Sequence, residues 1–380
     1  MVYSILIIIF ISSCISADSI ESKMNTNDVL LDDSTIYDMQ QEYARSGGFM
    51  GKAGSVYYVN LLRWIYFYDE TSGTTGKLCA KPDCTHENGQ CNAYISGIGG
   101  VQVYDGMLYF MGSMGTVERM DLSGNQRENV MTVRSLEGSD VKWTIHRGYV
   151  YTSIIKSTVK DGKPMDIYTI SRCKLGKTGK EEVVFENIYA AGTINNIWRL
   201  KSDKLYLFMD EENRTKRTLY IFNLNDGTLE TPISGSSEGY VSDFRVDGTG
   251  IDILEKTPDY ICLIRYNDED KKCKEIMRRT DTKGYVAMFS KDPSKMIFYA
   301  VTSGPDQDWI DYRGIDRDGT ELFVDKLSGD TWYFDGYGSD AAGFLFERTV
   351  IEERTHTEEL WRIADDTGQA ELLIQHVQVL

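Results

Sequence analysis

Three cysteines and a histidine crowd into one short stretch, Leu78-Cys79-Ala80-Lys81-Pro82-Asp83-Cys84-Thr85-His86-Glu87-Asn88-Gly89-Gln90-Cys91-Asn92-Ala93-Tyr94. The spacing is Cys79-x4-Cys84-x-His86-x4-Cys91, and His86 is one of only 4 histidines in the chain. Three thiolates and one imidazole could complete a tetrahedral, structural zinc site. The gaps are wider than in a C-x2-C knuckle, and no paired knuckle lies elsewhere in the sequence. Two other readings fit the same residues. One is a disulfide, most simply Cys84 to Cys91, that ties down a small loop. The other is a set of unpaired thiols used as packing groups. All three are structural, because a closed four-ligand site leaves no open position for a substrate. No further cofactor is expected, since the chain lacks a phosphate-binding glycine loop.

Other residues could do chemistry in principle. Gly235-Ser236-Ser237-Glu238-Gly239 matches G-x-S-x-G, but it lies in a polar stretch with no helix pattern after it, so it reads as coincidence. His146, His356 and His376 sit beside no motif that would make them bases and read as packing or surface residues. Cys262 and Cys273 flank Tyr266–Asp270. A hairpin turning at Asn267-Asp268 would set them face to face, as buried thiols or as a cross-strand disulfide. Two groups mix carboxylates with aromatics: Asp306, Asp308, Trp309 and Asp311 with Tyr312, and Asp330, Trp332, Tyr333 and Asp335 with Tyr337. A sugar site uses this combination, an apolar ring face for stacking and acceptors for hydroxyls. Asp306, Asp308, Trp309, Trp332 and Asp335 are therefore the ligand-binding candidates. The alternative for the same carboxylates is an acid/base pair of a polysaccharide hydrolase or lyase. Asp316-Arg317-Asp318-Gly319 resembles part of a calcium loop but lacks its distal Glu, and reads as a hairpin turn.

The elements that must carry these residues repeat. Short aromatic or aliphatic runs begin at Val56, Met107, Tyr149, Leu205, Ile251, Met296 and Gly343, about 40 to 56 residues apart. Polar turns precede several of them, as in Tyr104-Asp105-Gly106 and Arg147-Gly148, and further strands follow through Asp/Asn/Gly turns. Strand and turn alternating at this period predict an all-β fold, a β-propeller of seven four-stranded blades; six or eight also fit the spacing. His376–Leu380 reads as a last strand that completes the first blade, whose own start near Tyr57 is abrupt. Ser34–Arg45 is the one helix candidate in the mature chain.

With 380 residues there is ample chain for a buried core. Aromatics at 12% and only 6 prolines suit short strands. A net charge of −17 argues against a nucleic-acid partner and against docking on an anionic membrane through a basic patch. The apolar run Ile5–Ile11 is too short to span a bilayer and matches the core of a secretory signal. Ile11-Ser12-Ser13-Cys14 resembles a bacterial lipobox, although no Lys or Arg precedes the run. The resemblance implies lipidation at Cys14; the alternative is a plain secretory signal cut after Ala17. The expected organisation is a signal peptide over 1–13, lipidated Cys14 with a polar tether over 14–36, and a propeller over 37–380.

The phrase Leu78-Cys79-x4-Cys84-Thr85-His86-x4-Cys91-Asn92-Ala93, after a Tyr-rich hairpin and a lipoprotein signal, resembles a group of surface lipoproteins of Gram-positive anaerobes with six- or seven-bladed propeller domains. The resemblance implies the fold and an address on the outer face of the cytoplasmic membrane; the group brings no assigned activity. A monomeric, lipid-anchored module that binds a glycan or an envelope protein or peptide is expected. A polysaccharide-active enzyme and a structural envelope scaffold are the alternatives.

Overall fold

Each sheet grows from a hairpin whose turn residues are legible. Asp105 and Gly106 have φ of 48° and 70°, and Arg147 and Gly148 have 48° and 76°. This is the left-handed pair that a two-residue hairpin needs and that Gly supplies without strain. In a computed structural model the described residues are 50–96, 100–133, 142–177, 181–192, 195–211, 215–303, 308–328, 333–352 and 354–379. All lie in the second of the chain's two units, Asp33–Leu380. The expected helix at Ser34–Arg45 and the lipidation candidate Cys14 fall outside them.

The described strands form seven four-stranded antiparallel sheets, each made of four consecutive strands. Sheet 1 holds β1 (Met50–Ala53), β2 (Val56–Leu61), β3 (Trp64–Asp69) and β4 (Thr74–Lys77). Sheet 2 holds β5 (Val101–Tyr104), β6 (Met107–Met111), β7 (Thr116–Asp121) and β8 (Glu128–Thr132). Sheet 3 holds β9 (Lys142–His146), β10 (Tyr149–Lys160), β11 (Lys163–Lys174) and β12 (Glu182–Ala190). Sheet 4 holds β13 (Asn195–Lys201), β14 (Lys204–Glu211), β15 (Lys216–Asn223) and β16 (Leu229–Ser236). Sheet 5 holds β17 (Tyr240–Val246), β18 (Gly250–Lys256), β19 (Ile261–Asn267) and β20 (Cys273–Arg279). Sheet 6 holds β21 (Val286–Phe289), β22 (Lys295–Ser303), β23 (Asp308–Asp316) and β24 (Glu321–Ser328). Sheet 7 holds β25 (Tyr333–Ser339), β26 (Gly343–Glu352), β27 (Thr355–Ala364) and β28 (Ala370–Val379). Repeated four-stranded meanders of this kind are the architecture of a β-propeller.

The expected exchange of the last strand into the first sheet does not occur. β28 pairs with β27 from Thr355↔Val379 to Ile363↔Ala370, while sheet 1 opens with its own strand, paired Met50↔Val59 to Ala53↔Val56. The missed strand is β1. Gly51 gives it little strand character, and the glycine is there because a Cβ would lie 2.9 Å from the Val103 backbone nitrogen of sheet 2.

Side chains join the sheets in sequence. Trp198 Nε1 donates to Ser153 Oγ at 3.0 Å between sheets 4 and 3. Arg199 Nη2 donates to Asp243 Oδ1 at 2.7 Å between sheets 4 and 5, and Arg279 Nη1 donates to the Gly319 carbonyl at 2.9 Å between sheets 5 and 6. Tyr312 Oη donates to the Gly368 carbonyl at 3.1 Å between sheets 6 and 7. Sheet 7 in turn meets sheet 1. Arg362 Nη2 donates to Tyr57 Oη at 2.9 Å and to Glu70 Oε1 at 2.5 Å, and Tyr57 Oη donates to Asp340. One apolar cluster runs through this junction, from Leu345, Leu360 and Ile374 of sheet 7 through Tyr57, Val59 and Ile65 to Val101, Leu108 and Phe110 of sheet 2.

The two cysteines of sheet 5 do not face each other. The turn spans Asp268–Lys272, closed by Asn267 N donating to the Lys272 carbonyl at 3.0 Å. The register therefore pairs Cys273 with Tyr266 and Cys262 with Arg278. Cys262 is buried and Cys273 exposed. Ser237 lies in the link from β16 to β17, where its Oγ donates to the Gly239 carbonyl at 2.8 Å. No helix follows, so the strand–turn–helix context of a nucleophile is absent there.

Candidate metal centre

After Lys77 the chain leaves sheet 1, but both ends of the excursion stay tied to β3. Leu78 N donates to the Ile65 carbonyl at 2.9 Å on the way out. On the way back, Ile65 N donates to the Ala93 carbonyl and Ile95 N to the Arg63 carbonyl, each at 2.8 Å. Leu78, Cys91, Ala93 and Ile95 are buried in the apolar cluster shared by sheets 7, 1 and 2. Between these anchors the chain folds through turns, with Cys84 N donating to the Lys81 carbonyl at 3.3 Å and Cys91 N to the Asn88 carbonyl at 3.0 Å. Pro82 suits such a turn because its φ is fixed.

The turns gather all four candidate ligands. One ligand atom from each of Cys79, Cys84, His86 and Cys91 lies within 4.8 Å of the others. His86 Nδ1 is 3.4 Å from Cys91 Sγ. Cys91 is buried and the other three are half-buried. None of Cys79, Cys84 and Cys91 is joined in a disulfide. His86 has φ of 58°, a left-handed conformation that costs a non-glycine residue roughly 1–2 kcal/mol. Burial pushes the Cys79 thiol up, but backbone N–H groups of Lys81 and Asn92 and the neighbouring thiols outweigh it and hold Cys79 below the ordinary value. Cys91 is pushed up to about 12, first by burial and then by the thiols of Cys79 and Cys84.

Surrounding groups brace the loop. Lys77 Nζ donates to the His86 carbonyl at 2.8 Å and lies 3.9 Å above the Trp64 ring. From sheet 2, Arg127 Nη1 donates to the Asn92 carbonyl at 3.0 Å and also to that of Tyr94, while its Nε donates to Glu118 at 2.7 Å. Asn92 Nδ2 donates to the Gly124 carbonyl at 2.8 Å. Gly124 must be glycine here: its φ is 87°, and a Cβ would lie 2.8 Å from the Leu78 carbonyl oxygen.

The sugar-site residues are less completely placed. Asp306 and Trp332 lie outside the described residues, and for Asp308 and Asp335 the backbone alone is described, opposite Ser303 and Glu347. Trp309 is half-buried on β23. It stands opposite Thr302 and Ser328, one step along the same face from Asp311. Asp311 is engaged, accepting from Thr302 Oγ1 at 3.0 Å and pairing with Lys326 Nζ at 2.9 Å.

A second ionisable group went unseen in the sequence because only sheet register assembles it. Glu358 pairs with His376 across β27 and β28. His376 Nδ1 lies 2.6 Å from Tyr66 Oη of sheet 1, and Glu358 Oε2 accepts from Leu62 N at 2.5 Å. His356 Nε2 is 3.7 Å from Glu358 Oε1. Burial first, then Lys77 and His356, push the His376 imidazole down to about 4, while burial raises the Glu358 carboxyl despite the Leu62 N–H. At neutral pH His376 is therefore neutral and packs as a hydrogen-bonding partner of Tyr66. His146 is fully buried, its Nε2 2.7 Å from the Ser202 carbonyl, in keeping with a packing role.

No protein-family model matches the chain, and no curated protein matches it. Solved structures share its fold. A prolyl endopeptidase matches with a TM-score of 0.57 at 14% identity, over 91% of this chain and 52% of that one. A puromycin-hydrolyzing peptidase of Mycobacterium tuberculosis matches at 0.51 and 11% identity, over 89% and 54%. An oligogalacturonate lyase from Vibrio parahaemolyticus matches at 0.50 and 12% identity, over 80% and 86%. The chain spans about half the length of the two peptidases. At these identities the likeness is one of fold alone.

Proposed function

We propose that this chain is a closed, seven-bladed β-propeller, lipid-anchored through Cys14 outside the cytoplasmic membrane, that binds a glycan or an envelope protein or peptide without transforming it. The observation that carries the reading is the uneven end at which the β2–β3 type of turn and the inter-sheet links leave the meanders. Three hairpins are extended there: β10–β11 with 12 residues in each strand, β26–β27 with 10 and β22–β23 with 9. Their ends leave the packed core, as the exposure of Val159, Val301 and Ile351 attests. Half-buried Trp309 and polar Thr302 and Asp311 stand on one of these hairpins. Loops and hairpin ends held by rigid sheets are where propellers and other scaffolds take ligands.

Five buried carboxylates are committed to holding the sheets. Buried Asp210, Asp243, Asp252, Asp340 and Glu359 are each bound to arginine. Such groups tie sheets and strands together and are not free to exchange protons with a substrate.

The test uses the purified chain with a panel of host and bacterial polysaccharides and envelope peptides, assayed for retention and for product release. Retention without products is the expected result; new reducing ends, unsaturated sugars or cleaved peptides would overturn the reading. The anchor is tested separately: Cys14→Ala should move the protein out of the membrane fraction, and a variant that stays there contradicts it.

A further inference from the structure

We propose that Cys79, Cys84, His86 and Cys91 bind one zinc ion, and that this Cys3His centre locks the 78–95 loop as a brace between sheets 1 and 2. The inference is independent of the binding reading above; either can fail without the other.

A zinc ion bound at about 2.3 Å by thiolates sets ligand atoms roughly 3.8 Å apart in a tetrahedron. The four ligand atoms already lie within 4.8 Å of one another, and His86 Nδ1 and Cys91 Sγ are at 3.4 Å. A contraction of about an ångström at the widest pair completes the site, well within what exposed turns between Cys79 and Cys91 can absorb. The donor set selects the metal. Three soft sulfurs and one imidazole suit zinc, whereas calcium and magnesium require oxygen ligands. Four protein ligands leave no position open to substrate, so the role is structural.

The surroundings are those of a metal ligand shell. Backbone N–H groups of Lys81 and Asn92 donate to the Cys79 sulfur, and that of Ala93 to the Cys91 sulfur. Outer hydrogen bonds of this kind orient ligands and tune their basicity. The left-handed backbone of His86 is held by Lys77 on its carbonyl. Strain of this sort persists where the surroundings over-determine it.

The loop also needs the cross-link. Most residues from Ala80 to Gln90 are exposed and belong to no strand, so little apolar burial holds them. Yet the loop's far end carries the contacts to sheet 2, through Arg127 on the Asn92 carbonyl and Asn92 on the Gly124 carbonyl. The same end inserts Cys91, Ala93 and Ile95 into the core cluster shared by sheets 7, 1 and 2. No exchanged strand fastens this region, because every sheet is built from consecutive strands. A metal that fixes the loop fixes the junction.

The experiment is metal analysis of the full chain, purified without chelators, followed by replacement with cobalt(II). One zinc per chain is expected, together with the visible bands of tetrahedral cobalt and a near-ultraviolet thiolate-to-cobalt band. Cys84→Ser and His86→Ala should each lower zinc affinity at least tenfold, whereas Cys173→Ser, in sheet 3, should leave it unchanged. Chelation should expose 78–95 to protease ahead of the rest of the chain. Three results would overturn the proposal: no bound metal with all three thiols freely titrating, a Cys84–Cys91 disulfide in the protein as isolated, or a cobalt spectrum of six-coordinate oxygen type. The wild-type cobalt titration decides the matter even if a variant fails to fold.

Discussion

Asp252 offers the sharpest test of how the sheets are held together. It is fully buried on β18 and gathers three guanidinium groups. Arg317, from the β23–β24 turn of sheet 6, donates through both Nη atoms at 2.6 and 2.7 Å. Arg245 and Arg265, its cross-strand neighbours in sheet 5, approach at 3.0 and 3.2 Å. Removing one partner of a buried ion pair costs about 3–5 kcal/mol, because the other partners lose their counter-charge. Two features place Asp252→Ala near the lower bound. Arg265 keeps Asp247 at 2.7 Å, and the Arg317 side chain, 34% exposed, can rehydrate. We therefore expect about 3 kcal/mol. Unfolding entropy of ~2.1 cal/mol/K per residue over roughly 330 residues gives ~0.7 kcal/mol/K, so Tm should fall by about 4 °C if the sheets unfold together. Asp252→Asn keeps the shape and an acceptor oxygen, and should lose about half as much. Calorimetry and urea denaturation at pH 7 are the assays.

The pH dependence adds a second constraint. Burial alone would push the Asp252 carboxyl up, but Arg317 and then Arg245 outweigh it and hold the group below its ordinary value. The folded protein thus binds the proton less readily than the unfolded chain does. The stabilisation is present above the unfolded value near ~4 and is lost as pH falls through the folded one. The difference between wild type and Asp252→Ala should accordingly shrink in acid. A loss under ~0.5 kcal/mol, the range of an ordinary surface substitution, would show that Asp252 does not hold these sheets together. So would a loss that is the same at pH 7 and pH 3.

Other outcomes follow from the same contacts. Tyr57→Phe removes the hydroxyl shared by Asp340 and Arg362 at the junction of sheets 7 and 1; a loss of about 1–3 kcal/mol in urea denaturation is expected, and no loss would mean the junction is not formed in solution. Gly239→Ala would drive a Cβ into the Lys256 carbonyl oxygen, so the β16–β17 link must shift, at about 1–3 kcal/mol by the same assay. His376, held down to about 4, resists the proton that the unfolded chain accepts near ~6.5. The wild type should therefore lose stability as pH falls from ~6.5 towards 4, and His376→Gln should flatten that part of the profile.

The repeat was legible because it is local. The seven runs that begin at Val56, Met107, Tyr149, Leu205, Ile251, Met296 and Gly343 all fall in the second strand of a sheet, each a self-contained pattern beside its own turn. The junction of sheets 7 and 1 was not legible, because it depends on a strand that hides its character. Gly51 in β1 serves close packing against Val103 and so looks like a loop residue, which left β28 looking surplus. The Cys79-Cys84-His86-Cys91 group could be read from spacing, since all four residues lie within one excursion of the chain. Glu358, His376 and Tyr66 could not, because they meet through cross-strand register and the packing of sheet 7 on sheet 1. The pairing of Cys262 with Arg278 likewise turned on the length of one turn.

The proposed ligand site is the end of the sheets where the long hairpins stand. Hydrogen–deuterium exchange, with and without whichever polysaccharide or envelope peptide the chain retains, tests it most directly. Slowed exchange is expected around Trp309–Tyr312 and at the other β22–β23-side strand ends, with the ligand recovered intact. Protection confined to the opposite turns, at Asp121–Gly124, Asn223–Gly227 and Asp316–Gly319, or a ligand recovered in altered form, would contradict it.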